Sequence, residues 1–202
     1  FQMFPEFAPE VEFTLPEGEL HEVLAQTILA CASDETRPVL TGALFAVTPE
    51  RLTVVATDMY RLALREMACS TSVDGERKVV VSARILSELG RLLGETSKDP
   101  VTIKLSERVV YFEVDNVKLA SRLIEGEFPN YPKVIPETHD KTLQARVGEL
   151  EQALRRALIV ARDDSSRVLL EVEPGQLRIS ARCPDVGSVE EQVAATLDGE
   201  PL

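Results

Sequence analysis

"RKVVVSARILSELGRLLG", Arg77 to Gly94, decides how the rest of the chain is read. Its three consecutive valines are the β-branched run of a strand. Ser82 then stands where a helix N-cap belongs, and Ile85, Leu86, Leu89, Leu92 and Leu93 follow at helical spacing. A strand therefore passes into an amphipathic helix with no loop between them. Downstream lie three strand-like runs, "VTIKLS", "RVVYFEV" and "VKLASRLIE". Asp115–Asn116 supplies a two-residue hairpin between the last two.

The same order occurs upstream. "VEFTLP" reads as a strand ended by Pro16, and "GELHEVLAQTILACAS" is a helix with Leu20, Val23, Leu24, Ile28 and Cys31 on one side. The strands "TGALFAVT", "LTVVATD" and "YRLALREM" complete that copy. A third copy follows the proline-rich, aperiodic stretch "FPNYPKVIPETHDK". It runs "TLQARV", the helix "GELEQALRRALIVA", then "VLLEVEPG", "QLRISARC" and "SVEEQVAATL". The repeat of strand, helix and three strands is the main signal in the chain. Two copies pair into one α+β domain over residues 11–127, 128–141 form a linker, and 142–202 are half of a further domain. A half-domain leaves a sheet edge unpaired and a helix without a companion. The chain is accordingly expected to be part of a longer protein.

Composition narrows the function classes. The 202 residues are 44% hydrophobic and carry a formal net charge of −12. That balance allows a core and, taken as an average, opposes binding to a polyanion, although charge on one face can differ from the mean. No apolar run approaches the roughly 20 residues of a membrane span, and the first ten residues lack a signal-peptide pattern. Cys31, Cys69 and Cys183 have no CxxC spacing and read as reduced thiols of a cytoplasmic protein. No phosphate-binding glycine loop or nucleophile elbow is visible. His21 and His139 are the only histidines and lack metal-ligand spacing. Of the paired carboxylates Asp163–Asp164 and Glu190–Glu191, the second lies in a strand and should split across its two faces. No enzyme, metal or cofactor is expected.

Two features remain. Arg84 and Arg91 share the polar face of their helix, diluted by Glu88 and Glu95; Arg155, Arg156 and Arg162 lie opposite Leu150, Leu154 and Leu158, with Gln152 beside them. The first helix has no cation, and Arg37 follows it in a loop. Such faces are either solvated surface or a weak, sequence-blind track for phosphates. The other feature is the hairpin "VATDMYRLAL", residues 55–64, which crowds Met59, Tyr60 and Arg61 at its tip.

"EVEFTLP", "VLTGALF", "VATDMYRLA", "SARILSELGRLL" and "EGEFPNYPKVIP", in this order, resemble the bacterial sliding clamp, the β subunit of the replicative DNA polymerase. The likeness runs from about Glu10 to Leu202. It implies the tail of a first domain in residues 1–10, a middle domain, and the first half of a last domain. It also implies the DNA-clamp fold, with tandem βαβββ halves and the helices on one face of antiparallel sheets. Two full-length chains would close into a ring around duplex DNA, with Arg37, Arg84, Arg91, Gln152, Arg155 and Arg162 facing the hole. The ring would be a non-catalytic processivity factor that tethers the polymerase, the clamp loader and repair proteins through short peptides. An adaptor of the same fold without DNA encirclement is the alternative. The resemblance assigns the peptide pocket to Leu40, Thr57, Met59, Tyr60, Arg61, Leu62, Pro129, Lys133 and Val134. Met59 and Tyr60 stand where the family often has a small residue and a histidine, Lys133 replaces an arginine, and Ser165 replaces an aromatic of some members. Met59 without glycine's freedom implies a wider or strained corner.

Overall fold

The computed structural model describes residues 9–161 and 167–199. The chain divides into two compact units that meet at Pro129–Asn130, inside the stretch read as a linker.

The first unit contains β1 (Val11–Pro16), α1 (Glu17–Thr27), β2 (Gly42–Val47), β3 (Arg51–Thr57), β4 (Leu62–Ala68), β5 (Arg77–Ser82), α2 (Ala83–Leu92), β6 (Pro100–Leu105), β7 (Val109–Val114) and β8 (Val117–Arg122). The two copies do not form separate sheets. Each donates its first strand to the other, giving the antiparallel orders β4-β3-β2-β5 and β1-β6-β7-β8. This exchange is the feature that periodicity could not supply. It makes each copy dependent on the other for a sheet edge. Leu20, Val23 and Leu24 of α1 and Leu86, Leu89 and Leu93 of the α2 segment join Phe13, Phe45, Val54, Ile103 and Phe112 in one continuous core.

Helix ends are fixed in different ways. Ser82 caps α2, its hydroxyl accepting from the Arg84 amide at 3.3 Å. Pro16 offers α1 no side-chain cap. Carbonyls of the loop after α2 take over instead, with the Glu17 amide donating to Asp99 O at 3.0 Å and the Gly18 amide to Ser97 O at 2.9 Å. The buried Glu17 carboxylate returns the contact by accepting from the Gly94 amide at 2.8 Å. The first helix is shorter than its pattern predicts, because it tightens into a 3-10 turn over Ile28–Ala30. At that junction the Thr27 hydroxyl donates back to Val23 O at 2.7 Å, a bond that loosens the helical ladder.

The second unit holds β9 (Thr142–Ala145), α3 (Val147–Ala161), β10 (Leu169–Glu173), β11 (Gln176–Cys183) and β12 (Gly187–Asp198) in the order β10-β11-β12-β9. β12 is 12 residues long, pairing with β11 and then with β9. Ala153, Ala157 and Ala161 of α3 pack on Leu177, Ile179 and Val193. Among the described residues β9 and β10 each keep one unpaired edge, and Leu169, Leu170 and Ile159 are exposed. Glu190 and Glu191 separate as their strand positions require: Glu191 meets Arg156 of α3 and Glu190 approaches Arg178 on the opposite face.

Candidate partner-docking surface

The two sheets of the first unit are equivalent strand for strand, so their outer faces can be compared row by row. In β1-β6-β7-β8 the register aligns Thr14, Thr102, Glu113 and Lys118 across the outer face, and Lys118 pairs with Glu113 at 3.3 Å. That is an ordinary solvated row. In β4-β3-β2-β5 the same positions are Leu64, Val55, Leu44 and Val80. Leu44, Val55 and Val80 are buried yet stand outside the helix-side core. Apolar residues on both faces of β2 and β3 explain why these strands read as unbroken apolar runs rather than alternating ones. The chain after β8 supplies part of the cover. The Ile124 amide donates to Val80 O at 2.9 Å. Gly42 makes the approach possible, since a Cβ there would lie 2.9 Å from Ile124 Cδ1 and 2.5 Å from Val81 O.

This apolar face ends at the hairpin singled out from the sequence. The equivalent β7–β8 turn is the tight Asp115–Asn116 pair, with Asp115 at φ 49°. The β3–β4 turn closes between Thr57 and Leu62 and so carries four residues, Asp58 to Arg61. Met59 adopts φ 77°, a left-handed conformation that costs a side-chain-bearing residue roughly 1–2 kcal/mol. The corner is therefore strained, as expected, and a local network holds it. Asp58 Oδ1 accepts from the Tyr60 and Arg61 amides, both at 3.0 Å, and Asp58 Oδ2 accepts from Arg61 Nε at 3.1 Å. These bonds hold the Asp58 carboxyl below its usual range, the Arg61 and Tyr60 amides being the main cause. The Thr57 hydroxyl accepts from the Met59 amide at 3.1 Å and donates to Arg61 O at 2.8 Å.

The expected pocket residues thus take distinct positions. Thr57 is buried and braces the turn; Tyr60, at 98% exposure, projects from it; Leu62 is half-buried at the start of β4. Leu40 is buried in the 3-10 turn Pro38–Thr41 that leads into β2, at the same end of the sheet as Thr57. Pro129 closes the first unit, whereas Lys133 and Val134 belong to the second, in and just after the 3-10 turn Tyr131–Lys133. Sequence reasoning missed Leu44, Val55, Leu64 and Val80.

The helix arginines are exposed, as their spacing predicted, but are mostly occupied. Arg91 donates to Glu88 at 2.8 Å, and Arg155 donates to Glu151 at 2.6 and 3.1 Å. Arg156 forms a two-pronged pair with Glu191 at 2.6 and 2.8 Å. Arg37 and Arg84 have no ion-pair partner among the described residues. Gln152 is exposed on α3. Arg162, Ser165 and Asp163–Asp164 lie outside the described residues. Burial pushes the Cys31 thiol up to about 11 and raises that of Cys69, so neither is a ready thiolate. Among the described residues no cluster of His, Cys, Asp and Glu could hold a metal, and no helix is long and apolar enough to cross a membrane.

Comparison with known proteins settles the family. The central-domain model of the DNA polymerase III beta subunit matches residues 14–130, and the C-terminal-domain model matches 132–202. The chain belongs to the DNA polymerase III beta subunit family. The beta sliding clamp of Staphylococcus aureus is 31% identical over 96% of this chain and 52% of its own length. A sliding clamp from Bartonella birtlesii, solved bound to griselimycin, is 35% identical with a TM-score of 0.91, covering all of this chain and 55% of that one. The subunit beta structure from Pseudomonas aeruginosa has a TM-score of 0.93 at 28% identity. The chain spans about half the length of the curated relatives it matches. Its fold is the mixed helix and antiparallel-sheet fold of these clamps.

Proposed function

We propose that this chain is the middle domain and the first half of the last domain of a ring-shaped, non-catalytic sliding clamp. In this reading the full-length protein is a cytoplasmic homodimer that encircles duplex DNA regardless of sequence. It tethers the replicative polymerase, the clamp loader and other polymerases and repair proteins by capturing short peptides on the Leu40–hairpin surface. One observation carries the docking assignment: of two equivalent sheets, only one replaces a polar outer row by Val80, Leu44, Val55 and Leu64, and that sheet alone has the enlarged hairpin. An apolar groove with a few directed polar groups suits an extended peptide. Leu40 and Leu62 would bury its apolar side chains, at roughly 1.5–3 kcal/mol for a fully buried one. Arg61 would donate to its carbonyls or carboxylate. Pro129, Lys133 and Val134 are proposed to line the groove by family resemblance, and Met59 and Tyr60 its rim. Arg37, Arg84, Arg91, Gln152, Arg155 and Arg162 are proposed to face the DNA.

The test is the affinity of a polymerase tail peptide for the chain and for its Arg61→Ala/Leu62→Ala variant. At least a tenfold loss is expected, and an unchanged affinity rejects the surface. Griselimycin, the ligand of two structural neighbours, serves as a second probe.

A second reading, a peptide-binding adaptor without encirclement, draws support from the charge of the helix layer. α1 carries only acidic residues and His21 as titratable groups, so one of the two helices of the first unit offers a phosphate no permanent cation. Retention of the full-length protein on circular DNA, with release on linearisation, separates the two. Loss before the circle is cut favours the adaptor.

A further inference from the structure

Arg155 is held by its own helix. Its Nε and Nη2 both converge on one oxygen of Glu151, one turn upstream. A carboxylate four residues before a cation is the favourable order on a helix. Arg91 repeats the arrangement on α2 with Glu88, three residues before it. Both pairs are more than half exposed. Arg156, the neighbour of Arg155, is different: its fork closes on both oxygens of Glu191 in β12, so it is a strut between helix and sheet.

We infer that Glu151 and Glu88 are built-in competitors for the DNA backbone. Each takes guanidinium donors that a phosphate would otherwise accept from, through Nε and Nη2 of Arg155 and Nη1 of Arg91, and keeps a carboxylate beside any phosphate that the remaining N–H groups reach. Exposed helix pairs of this kind are weak, so each lowers the occupancy of a phosphate contact by about twofold rather than abolishing it. A contact that is always in exchange between two anions suits a protein that must hold a duplex without stopping on it. Arg84 has no such partner among the described residues and is the contrasting case. This inference rests on the DNA-facing assignment proposed above.

The experiment is an NMR titration of the 202-residue chain with a short duplex at low salt, following the arginine Nε–H and α3 amide signals. Glu151→Gln is compared with Glu149→Gln, which removes the same charge from the same helix at a position with no ion pair among the described residues. Both substitutions should tighten binding by lowering negative charge. Glu151→Gln should do so about twofold more, and its excess should vanish in an Arg155→Ala background. Equal effects of the two substitutions, or an excess that survives Arg155→Ala, overturn the inference. If Arg155→Ala itself leaves duplex affinity unchanged, or the duplex shifts no α3 signal, the DNA-facing assignment fails, and the inference with it.

Discussion

Thr57 belongs to the docking surface by resemblance, yet its side chain is committed inward to the turn, and that distinction can be measured. Thr57→Val keeps the shape and removes the hydroxyl. Two bonds disappear, the 3.1 Å acceptance from the Met59 amide and the 2.8 Å donation to Arg61 O. Each is worth about 0.5–1.5 kcal/mol. Met59, Tyr60 and Arg61 are exposed, so water replaces part of what is lost and the lower half of the summed range applies, about 1–2 kcal/mol. The remaining Asp58 amide bond to Arg61 O is long, at 3.4 Å, and compensates little. Meanwhile the left-handed Met59 continues to favour opening. A cost of about 1.4 kcal/mol is a tenfold increase in the open population. Hydrogen exchange of the Met59 amide should therefore quicken about tenfold, while the Leu44 and Val55 amides keep their rates. Peptide affinity follows the closed fraction, so it should change little for as long as the closed turn remains the major state. Unchanged exchange at Met59, or an equal acceleration at Leu44 and Val55, would refute the claim that Thr57 acts through the hairpin.

Other outcomes follow from the same contacts. The Asp58 carboxyl is depressed by the Arg61 and Tyr60 amides. Its bracing is thus fully present above the ordinary aspartate value near 3.9 and is lost as pH falls through the lower folded value. Protection of the Tyr60 and Arg61 amides should be flat from pH 7 to 5 and collapse only below pH about 3.9; a loss centred near neutrality would contradict it. Glu17→Ala leaves the Gly94 amide without its partner, so urea unfolding should show a loss of about 1–3 kcal/mol. Gly42→Ala places a Cβ 2.5 Å from Val81 O, where backbone must yield. It should lower the melting temperature more than Gly90→Ala, whose Cβ meets nothing within 4 Å.

Much of this was legible in the sequence. β5, β11 and the Ser82 cap lie where the residues place them, because a β-branched run and a hydroxyl before an apolar stripe act locally. The exchange of first strands between copies was not legible, since alternation records which face is buried and not which strand lies alongside. The hairpin was conspicuous because Met59 and Tyr60 are large residues at a corner. The apolar row beneath it was equally present in "GALFAV" and "LTVVAT" set against "VTIKL" and "VVYFEV". Comparing the copies position by position, rather than by element order, would have exposed it. The spacing of Arg84, Arg91, Arg155 and Arg156 marks exposed helix faces, and all four are exposed. Glu88 was seen to dilute one face, but the four-residue spacing of Glu151 and Arg155 was a readable signal that passed unused.

The most direct test of the docking claim is a hydrogen-exchange footprint of the chain with and without a saturating polymerase tail peptide. Protection should appear at Leu40 and from Thr57 to Leu64, and the equivalent Glu113–Lys118 face of the sister sheet should stay unchanged. Protection on the Glu113–Lys118 face, or none around the hairpin while the peptide is bound, would contradict the account.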